Sequence, residues 1–530
     1  MKVTPYTLAS VSKHVNAAIV LFAAITFLLI PGGIVVYDLS DANIREGGIP
    51  RAAFRLHRHL TPRYERWARA RIASGRAADL STGDIAGTEW PLFGSVFYLW
   101  STESLQDAWE ANRGLSSRAP KDYAGGAVEA ATQLVLDPHH AAWVKHHWGE
   151  AYLRREDVFY RMLLIAALTT HARLTGSDRH RAVLREQVEG LSRELDESPH
   201  GLLDDYPGQC YPGDVLTAIA CIRRADAVLG TDHSAFARRA LRGFEDERLD
   251  ERGLPPYRAS AASGRAMGPS RGCGNSYVCL FAPEIWPDAA RRWYALYERH
   301  FWQHRWTAAG FREFPRERPG GDWYADVDAG PVLAGHGISA CAFGVGAARV
   351  NGRFDHAYPL TAEMLALSWP MANGTLLAPR LLSSATDAPY LGEAAILFNL
   401  TRRPAPGFAV RTGGRLPPFV YLVLALTVGL GTLLILLTLR NLRTWRLRRS
   451  RLSIPAARAQ FALWLVLMLG GMTMAVAVSR AVGLLLVLGA QLLPRGARLA
   501  GRAEDDSHAD GAKPASAAPQ RPARPSHSPG

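Results

Sequence analysis

Three carboxylates occupy positions where acid/base chemistry is possible. The stretch LLDDYPGQCYPGDVLTAIACI, from Leu202 to Ile222, places Asp205 and Asp214 nine residues apart and directly before an apolar segment. Glu89 lies near the start of another apolar segment, GTEWPLFGSVFYLW. If the three side chains face one cavity, burial and mutual repulsion raise at least one pKa and divide the set into an acid and a base. We therefore predict Glu89, Asp205 and Asp214 as catalytic residues.

Aromatic and further acidic side chains accompany these carboxylates in the loops. Such residues hold an apolar or sugar-like ligand beside proton-transfer groups. The predicted binding residues are Tyr206, Cys210, Tyr211, Tyr277, Trp323, Tyr324, Asp326 and Asp328. Asp326 and Asp328 form a D-x-D that suits a cation, but the other ligands of a calcium loop are missing, so we predict no metal. The chain has no phosphate-binding loop and no H-E-x-x-H or C-x-x-C-H motif, and we predict no cofactor.

Each of these residues also has a structural interpretation. Asp214 is suited to cap a helix that begins at Val215, a role compatible with catalysis. Asp205 and its neighbour Asp204 fit a solvated loop equally well. The aromatic residues fit simple core packing. These alternatives stay open at the level of sequence.

The five cysteines, Cys210, Cys221, Cys273, Cys279 and Cys341, all lie in the large central region. Pairing of Cys273 with Cys279, or of Cys210 with another cysteine, is open, and the odd number leaves at least one thiol without an internal partner. Small buried residues are the main expectation for most of them. A nucleophilic Cys210, between Asp205 and Asp214, is a further alternative.

The sequence of the central region predicts a series of consecutive helices. Apolar residues recur at three and four spacing in segments such as DVFYRMLLIAALTTHARLTG and DAARRWYALYERHFWQH, and strand-like alternation is scarce. Mostly apolar helices alternate with amphipathic ones, an order that favours an all-α toroid of inner helices surrounded by outer ones. The site of such a barrel lies at its mouth, where the loops before the inner helices converge.

Two apolar runs are long enough to cross a bilayer. They are VNAAIVLFAAITFLLIPGGIVVY (15–37), which we interpret as an uncleaved anchor rather than a signal peptide, and PPFVYLVLALTVGLGTLLILLTL (417–439). Seven arginines closely follow the second run and four precede it, which places the loop after it in the cytoplasm. The region between the runs then lies outside the cytoplasm, in the periplasm of a Gram-negative bacterium, and the protein is a multi-pass protein of the inner (plasma) membrane.

The complete predicted order is a cytoplasmic N-terminus (1–14), a transmembrane helix (15–37), an extracytoplasmic α/α-barrel domain (38–416), a transmembrane helix (417–439), a basic cytoplasmic loop (440–460), a transmembrane helix or helical hairpin (461–494) and a disordered tail (495–530).

The positive charge is concentrated outside the central domain. The formal net charge is +13, but eight arginines lie between Pro417 and Pro494, the tail contributes +2, and Lys2 and Lys13 contribute +2. The central region is therefore nearly neutral, which argues against a nucleic-acid partner. The predicted partners are a small-molecule substrate and the lipid bilayer, and a homo-oligomer is compatible with the sequence.

The central region resembles the linalool dehydratase/isomerase family. The resemblance covers roughly Gly87 to Gly352. It rests on EDVFYRMLLIAALTTHARLTGS, on the segment that begins at Leu202 and ends in LGTDH (Leu229 to His233), and on YADVDAGPVLAGHGISACAFGVGAARVNG. It implies an (α/α)6 barrel that acts on monoterpene alcohols outside the cytoplasm. The family's acid before the first inner helix falls on Glu89.

Several family positions carry different residues in this chain. The tyrosine that follows the acid in the family falls on Ser95, the two active-site cysteines fall on Asp205 and Asp214, and the helical histidine falls on Leu163. Acids are therefore kept or gained at three site positions, while the cysteines and the histidine are replaced.

These observations lead to three functional hypotheses. The first is a membrane-anchored lyase or isomerase that works on an alcohol without a cofactor, through Glu89, Asp205 and Asp214. The second keeps the toroid but makes it a glycan-processing hydrolase or lyase. The third is a non-catalytic membrane subunit that binds a partner.

Overall fold

A computed structural model describes residues 5–245, 249–318, 321–448, 459, 462–471, 486, 489 and 490, with the backbone alone at 5–12 and 444–448. The predicted tail (495–530) and most of the third apolar region (461–494) lie outside these residues. Contacts divide the chain into two compact units. One is Thr26–Gly429, and the other combines Met1–Ile25 with Leu430–Gly530.

The structure is mostly helical, as predicted. The α-helices are α1 Pro5–Ala24, α2 Ile30–Leu39, α3 Asn43–Glu46, α4 Arg51–Ser74, α5 Ile85–Ala111, α6 Pro120–Leu136, α7 Ala142–Trp148, α8 Val158–Thr175, α9 Arg181–Glu197, α10 Pro212–Leu229, α11 Ser234–Glu245, α12 Gly272–Ile285, α13 Pro287–Phe301, α14 Ile338–Val350, α15 Phe354–Leu367, α16 Leu377–Ser383, α17 Leu391–Leu400, α18 Pro418–Leu424 and α19 Leu430–Arg448. Short 3₁₀ helices occupy Arg76–Asp79, Arg113–Leu115 and Tyr152–Arg154, and π-helical turns occupy Ile25–Leu29 and Ala425–Gly429.

Helices of two kinds alternate along the unit Thr26–Gly429. In α8 nearly every side chain is buried, whereas α9 buries one stripe that includes Leu184, Val188, Leu191 and Leu195. This spacing of three and four residues is what a helix needs to cover a core with one face. We call α5, α8, α10, α12, α14 and α17 the buried helices, and α4, α6, α9, α11, α13 and α15 the covering helices.

The buried helices pack in succession. α5 contacts α8, α8 contacts α10, α10 contacts α12, α12 contacts α14, α14 contacts α17, and α17 contacts α5. Their N-terminal parts lie side by side, since Gly213 of α10 lies against Gly274 of α12 and Gly94, in the third turn of α5, lies against Leu391 at the start of α17. We call this end of the unit, where the buried helices begin, the mouth end.

Short strands interrupt the connection between α13 and α14. β1 Trp302–Arg305 pairs antiparallel with β2 Ala308–Phe311, and β3 Trp323–Asp326, β4 Gly330–Leu333 and β5 His336–Gly337 form a second antiparallel sheet. Both sheets precede the start of α14 and so lie at the mouth end. The sequence predicted no strands at this place because runs of two to four residues are too short to show alternation.

Two helices are long and apolar enough to cross a membrane, Lys13–Leu39 and Pro418–Arg443. They enclose the two predicted spans, 15–37 and 417–439. Within Thr26–Gly429, α15 packs against α2 and α18, and Val35, Leu39, Tyr358, Ala362 and Val420 belong to one hydrophobic cluster. The predicted cytoplasmic loop 440–460 is helical in its first part, because α19 continues to Arg448.

In the other unit, α1 packs against α19. Trp464 donates its indole N–H to Asn16 Oδ1, and Trp464, Met468 and Ala490 form a small apolar cluster with Ile19 and Leu467. Within the third apolar region, Ala462–Gly471 is a short apolar helix.

Candidate active site

Glu89 lies in the second turn of α5 rather than in a loop before it. The helix begins earlier than the sequence suggested because the Asp84 side chain caps it, with Oδ1 accepting from the Gly87 N–H at 3.0 Å. The Tyr206 hydroxyl donates to Glu89 Oε1, and the Tyr206 ring packs near Trp143, at 5.7 Å between centroids. Glu89 is half-buried and faces the mouth end.

Asp205 is buried, which contradicts the solvated-loop interpretation. Its relative exposure is 1%, and its Oδ2 accepts from the Tyr211 N–H at 3.0 Å. Its Oδ1 is buried and makes no hydrogen bond of normal geometry. Burial raises the pKa of Asp205 well above its ordinary value, the Asp214 charge raises it further, and the backbone N–H groups of Tyr211 and Phe159 offset this only in part.

Asp214 is not the cap of its helix. α10 begins at Pro212, three residues before the predicted start, because proline at the first helical position has no N–H to lose and a φ already suited to the helix. The N-cap is Tyr211, and it makes no side-chain cap bond. Burial, followed by the charge of Asp328, raises the pKa of Asp214 to about 7. The Tyr211 N–H, which belongs to the N-cap residue itself, donates to Asp205 Oδ2.

A fourth acid, Asp157, joins the site without having been predicted. It is the N-cap of α8, is fully buried at 0% exposure, and has a left-handed backbone with φ of 34°. Neither carboxylate oxygen makes a hydrogen bond of normal geometry. Burial raises its pKa well above the ordinary value, although the Tyr160 N–H and the Arg161 guanidinium act in the opposite direction. An acid directly before an apolar helix was the available signal, and Asp157 shares it with Asp214.

Asp328 completes the acid cluster from the turn between β3 and β4. It accepts a hydrogen bond from the Tyr257 hydroxyl, and burial raises its pKa. Burial also raises the pKa of Glu89, to about 8, and the charges of Asp328, Asp214 and Asp157 add to this effect in that order. We call Glu89, Asp157, Asp205, Asp214 and Asp328 the acid cluster. Among the described residues, none of the five forms an ion pair with Lys, Arg or His.

Asp326 does not belong to the acid cluster, because it has an arginine partner. Its Oδ2 pairs with Arg271 Nη2 at 2.8 Å and its Oδ1 accepts from the Ala329 N–H at 2.7 Å. Burial alone would raise its pKa, but these hydrogen bonds and the Arg271 charge leave it lowered. Asp326 and Asp328 therefore face different partners and do not present two oxygens to one cation.

Aromatic side chains from four buried helices lie close to the acids. Phe93 of α5 lies 5.7 Å from Phe159 of α8 and 6.0 Å from Tyr277 of α12, and Tyr277 lies 5.3 Å from Phe343 of α14, between ring centroids. We call these four residues the aromatic floor. Phe93 and Phe343 stay partly exposed although they belong to buried helices. The Tyr277 hydroxyl is buried without a well-formed hydrogen bond.

The other predicted binding residues differ in burial and in their distance from the acid cluster. Tyr211 is half-buried and lies 5.5 Å from Tyr257, between ring centroids. Trp323 and Tyr324 are 69% and 41% exposed on β3, outside the cluster, and Tyr324 donates to Asp326 Oδ2 at 2.9 Å. The five cysteines are free thiols, and burial raises the pKa of Cys210, followed by the charge of Asp205. A raised pKa keeps Cys210 protonated and opposes the nucleophile alternative.

A scan against protein-family models finds no family that matches the chain, and a search of curated proteins finds no match either.

Proposed function

We propose that the twelve buried and covering helices form an (α/α)6 barrel. The succession of contacts from α5 through α17 and back to α5 supports this arrangement. Each covering helix precedes a buried one along the chain, which is the order of an α/α toroid. The resemblance to the linalool dehydratase/isomerase family supports the same architecture. The mouth end, where the acids lie, is where such a barrel holds its site.

We further propose that Lys13–Leu39 and Pro418–Arg443 span the inner membrane of a bacterium and hold the barrel on its periplasmic side. Leu422 and Leu426 of the second helix are 57% and 51% exposed, so lipid is the environment that suits them. The excess of arginine after residue 439 places the chain beyond the second span in the cytoplasm.

The barrel, we propose, is a lyase or isomerase that acts on an apolar alcohol by acid/base chemistry. The observation that carries this proposal is the acid cluster, whose five carboxylates form no ion pair among the described residues and have raised pKa values. Near neutral pH, Glu89 with a pKa of about 8 is mostly protonated, while Asp214 with a pKa of about 7 is partly ionised. One site thus offers an acid and a base together.

The step we propose is the loss of water from the alcohol. Glu89 gives its proton to the hydroxyl oxygen, the C–O bond breaks with its electron pair leaving in water, and a carbocation forms. Asp214 removes a proton from the adjacent carbon, and the C–H electron pair becomes the new double bond. Tyr206 donates to Glu89 Oε1, which leaves the other oxygen to carry the proton. The aromatic floor stabilises the cation through the negative faces of its rings.

The test is dehydration of tertiary and allylic alcohols by the full chain in lipid nanodiscs, with the alkene measured by gas chromatography. Asp214→Asn is expected to lower kcat by about 100-fold or more, the range seen when a proton-transfer group is removed. Glu150→Gln is the matched control, because the Glu150 side chain is 90% exposed and outside the cluster. Unchanged turnover in Asp214→Asn would refute the assignment.

The pH profile gives a second test of the same proposal. Because the base must be ionised and the acid protonated, activity should be greatest between the pKa of Asp214, about 7, and that of Glu89, about 8. The rate should fall on both sides of this interval. A rate that rises steadily to pH 10 would show that a protonated Glu89 is not needed.

A further inference from the structure

Exposed apolar side chains are concentrated at the mouth end. Outside the candidate spans, twelve large hydrophobic residues are exposed among the described residues of the unit Thr26–Gly429. Ten of them lie in the connections that lead to the buried helices or on the helix ends that border these connections. The most exposed include Trp306 at 78%, Trp323 at 69% and Leu382 at 68%. The other two, Val183 and Val410, lie away from the mouth end. Such one-sided exposure is typical of an interaction surface.

The mouth end is continuous with the candidate spans. Trp369, which directly follows α15, donates its indole N–H to the Phe27 carbonyl at 2.7 Å. Phe27 lies twelve residues before Leu39, the end of the first candidate span, which is about 18 Å along a helix. α15 thus runs beside the span from its outer end toward its middle, and the connection after α15 is level with apolar, exposed residues of that span.

The β1–β2 hairpin makes a second connection to the spans. The Thr307 carbonyl accepts from the Phe419 N–H at 2.9 Å, at the start of the second candidate span. The neighbouring Trp306 has a left-handed backbone with φ of 55° and extends into solvent, and Trp369 has φ of 51°. Non-glycine residues in this conformation are strained and persist where the surroundings hold them, often at functional surfaces.

From this geometry we propose that the mouth end docks into the outer leaflet of the bilayer that the spans cross. Trp306, Leu367, Leu381 and Leu382 enter the lipid. The partner is lipid rather than another protein because the surface continues onto helices whose own exposed apolar residues require lipid. Tryptophan at this level is the residue that membrane interfaces favour.

The contact of the mouth end with lipid indicates the class of ligand. This step rests on the proposed function. The acid cluster and the aromatic floor lie at the same end as the docked surface, so their ligand arrives from the bilayer. A long-chain or isoprenoid alcohol dissolved in the leaflet fits both the apolar floor and this route. A short, water-soluble alcohol does not need the lipid contact.

The docking itself is tested with spin labels on the full chain in phosphatidylcholine nanodiscs. Nitroxides at Trp306→Cys and Leu382→Cys are compared with a matched label at Val183→Cys, and labelling of the unmodified chain measures the background from its five cysteines. Power saturation should show that labels 306 and 382 contact oxygen in the lipid and are shielded from a water-soluble nickel chelate, whereas label 183 contacts the chelate. Equal chelate contact at all three positions, or shielding of 306 and 382 from both reagents, would overturn the docking.

The ligand route is tested by Leu381→Ser/Leu382→Ser, with Val183→Ser as its control. With the long-chain alcohol supplied in vesicles, we expect KM to rise at least tenfold in the double variant and kcat for a short, water-soluble alcohol to stay unchanged. An equal KM for the double variant and the unmodified chain would exclude entry of the long-chain alcohol from lipid. If the spin labels report docking while the unmodified chain turns over no alcohol, the docking stands and the proposed chemistry fails.

Discussion

The mouth end and the opposite end of the helical unit carry similar carboxylates in contrasting surroundings. At the opposite end, Arg224 Nε pairs with Glu284 Oε2 at 2.7 Å, and at the last turn of α13 Arg353 Nη2 lies 2.8 Å from Glu298 Oε1. Burial alone would raise the pKa of Glu284, but the Arg224 guanidinium outweighs it and leaves this pKa lowered. At the mouth end, the acid cluster forms no ion pair among the described residues. Burial outweighs the charges of Arg161 near Asp157 and of Arg271 near Asp328, so the pKa of each member is raised.

The difference shows how one kind of side chain serves two purposes. A carboxylate with an arginine stays ionised, so it contributes to stability and cannot exchange protons near neutral pH. A buried carboxylate without a cation costs stability when it ionises, and this cost moves its pKa toward the range of proton transfer. The opposite end therefore holds the helices together, and the mouth end is where proton transfer is possible.

The largest effect should come from Glu89→Gln. The amide keeps the shape of the side chain but has no acidic proton to give, so turnover of an accepted alcohol should fall by about 100-fold to 1000-fold. Steady-state kinetics of the chain in nanodiscs measures this, with Glu150→Gln as the control. If Glu89→Gln kept more than half of the activity, the mouth end would not be the acidic site that the comparison requires.

Arg353→Met should weaken the contact between α13 and the start of α15. Arg353 Nε also lies 2.9 Å from Asp355 Oδ1, so the substitution leaves Glu298 and Asp355 without this cation, at an expected cost of about 2 kcal/mol for a partly buried group. Urea unfolding at pH 7 measures the loss. Arg181→Met, which breaks the exposed pair with Asp178, should cost less than about 0.5 kcal/mol.

The stability lost in Arg353→Met should become smaller as the pH falls. Burial raises the pKa of Glu298, but the hydrogen bonds from Arg353 and His356 leave it lowered, so its stabilisation exists above its ordinary pKa and disappears as the pH falls. The difference between Arg353→Met and the unmodified chain should therefore be greatest near pH 7 and smaller below about pH 4. An equal difference at both pH values would point to lost packing instead.

The contribution of Glu89, at the mouth end, to the stability of the fold should depend on pH in the opposite direction. Because the folded-state pKa of Glu89 is raised from 4.5 to about 8, the folded chain binds more protons than the unfolded chain in this interval, and stability falls as the pH rises through it. Glu89→Gln removes this contribution, so its Tm should decline less than that of the unmodified chain between pH 5 and pH 8. Parallel Tm curves would mean that Glu89 titrates normally.

The smallest effect should come from Asp328→Asn. After burial, the charge of Asp328 is the next cause of the raised pKa of both Glu89 and Asp214. Its removal should lower both pKa values and move the whole pH–rate profile to more acidic pH, by less than about one unit. Turnover at the optimum should stay similar. A profile that does not move would show that the two carboxylates titrate independently of Asp328.

The sequence predicted the helical character, two apolar helices of spanning length, and four members of the acid cluster, three as catalytic residues and Asp328 as a binding residue. These features depend on local information. Apolar periodicity marks a helix wherever it packs, a run of some twenty apolar residues has few other uses, and an acid before an apolar helix marks a helix start. The same rules misplaced the start of α10, because Pro212 and Gly213 suggested a turn although proline is well suited to the first helical turn.

Only the tertiary structure decided which acids lack a cation and which surface is apolar. Asp326 and Asp328 are two residues apart, yet one meets Arg271 and the other meets Tyr257. Asp157 lies near Glu89 because folding brings together segments that are far apart in the chain. Folding likewise leaves Trp323 exposed, outside the acid cluster. The amino-acid sequence determines which groups can titrate, but their pKa values depend on burial and on charges brought near by folding.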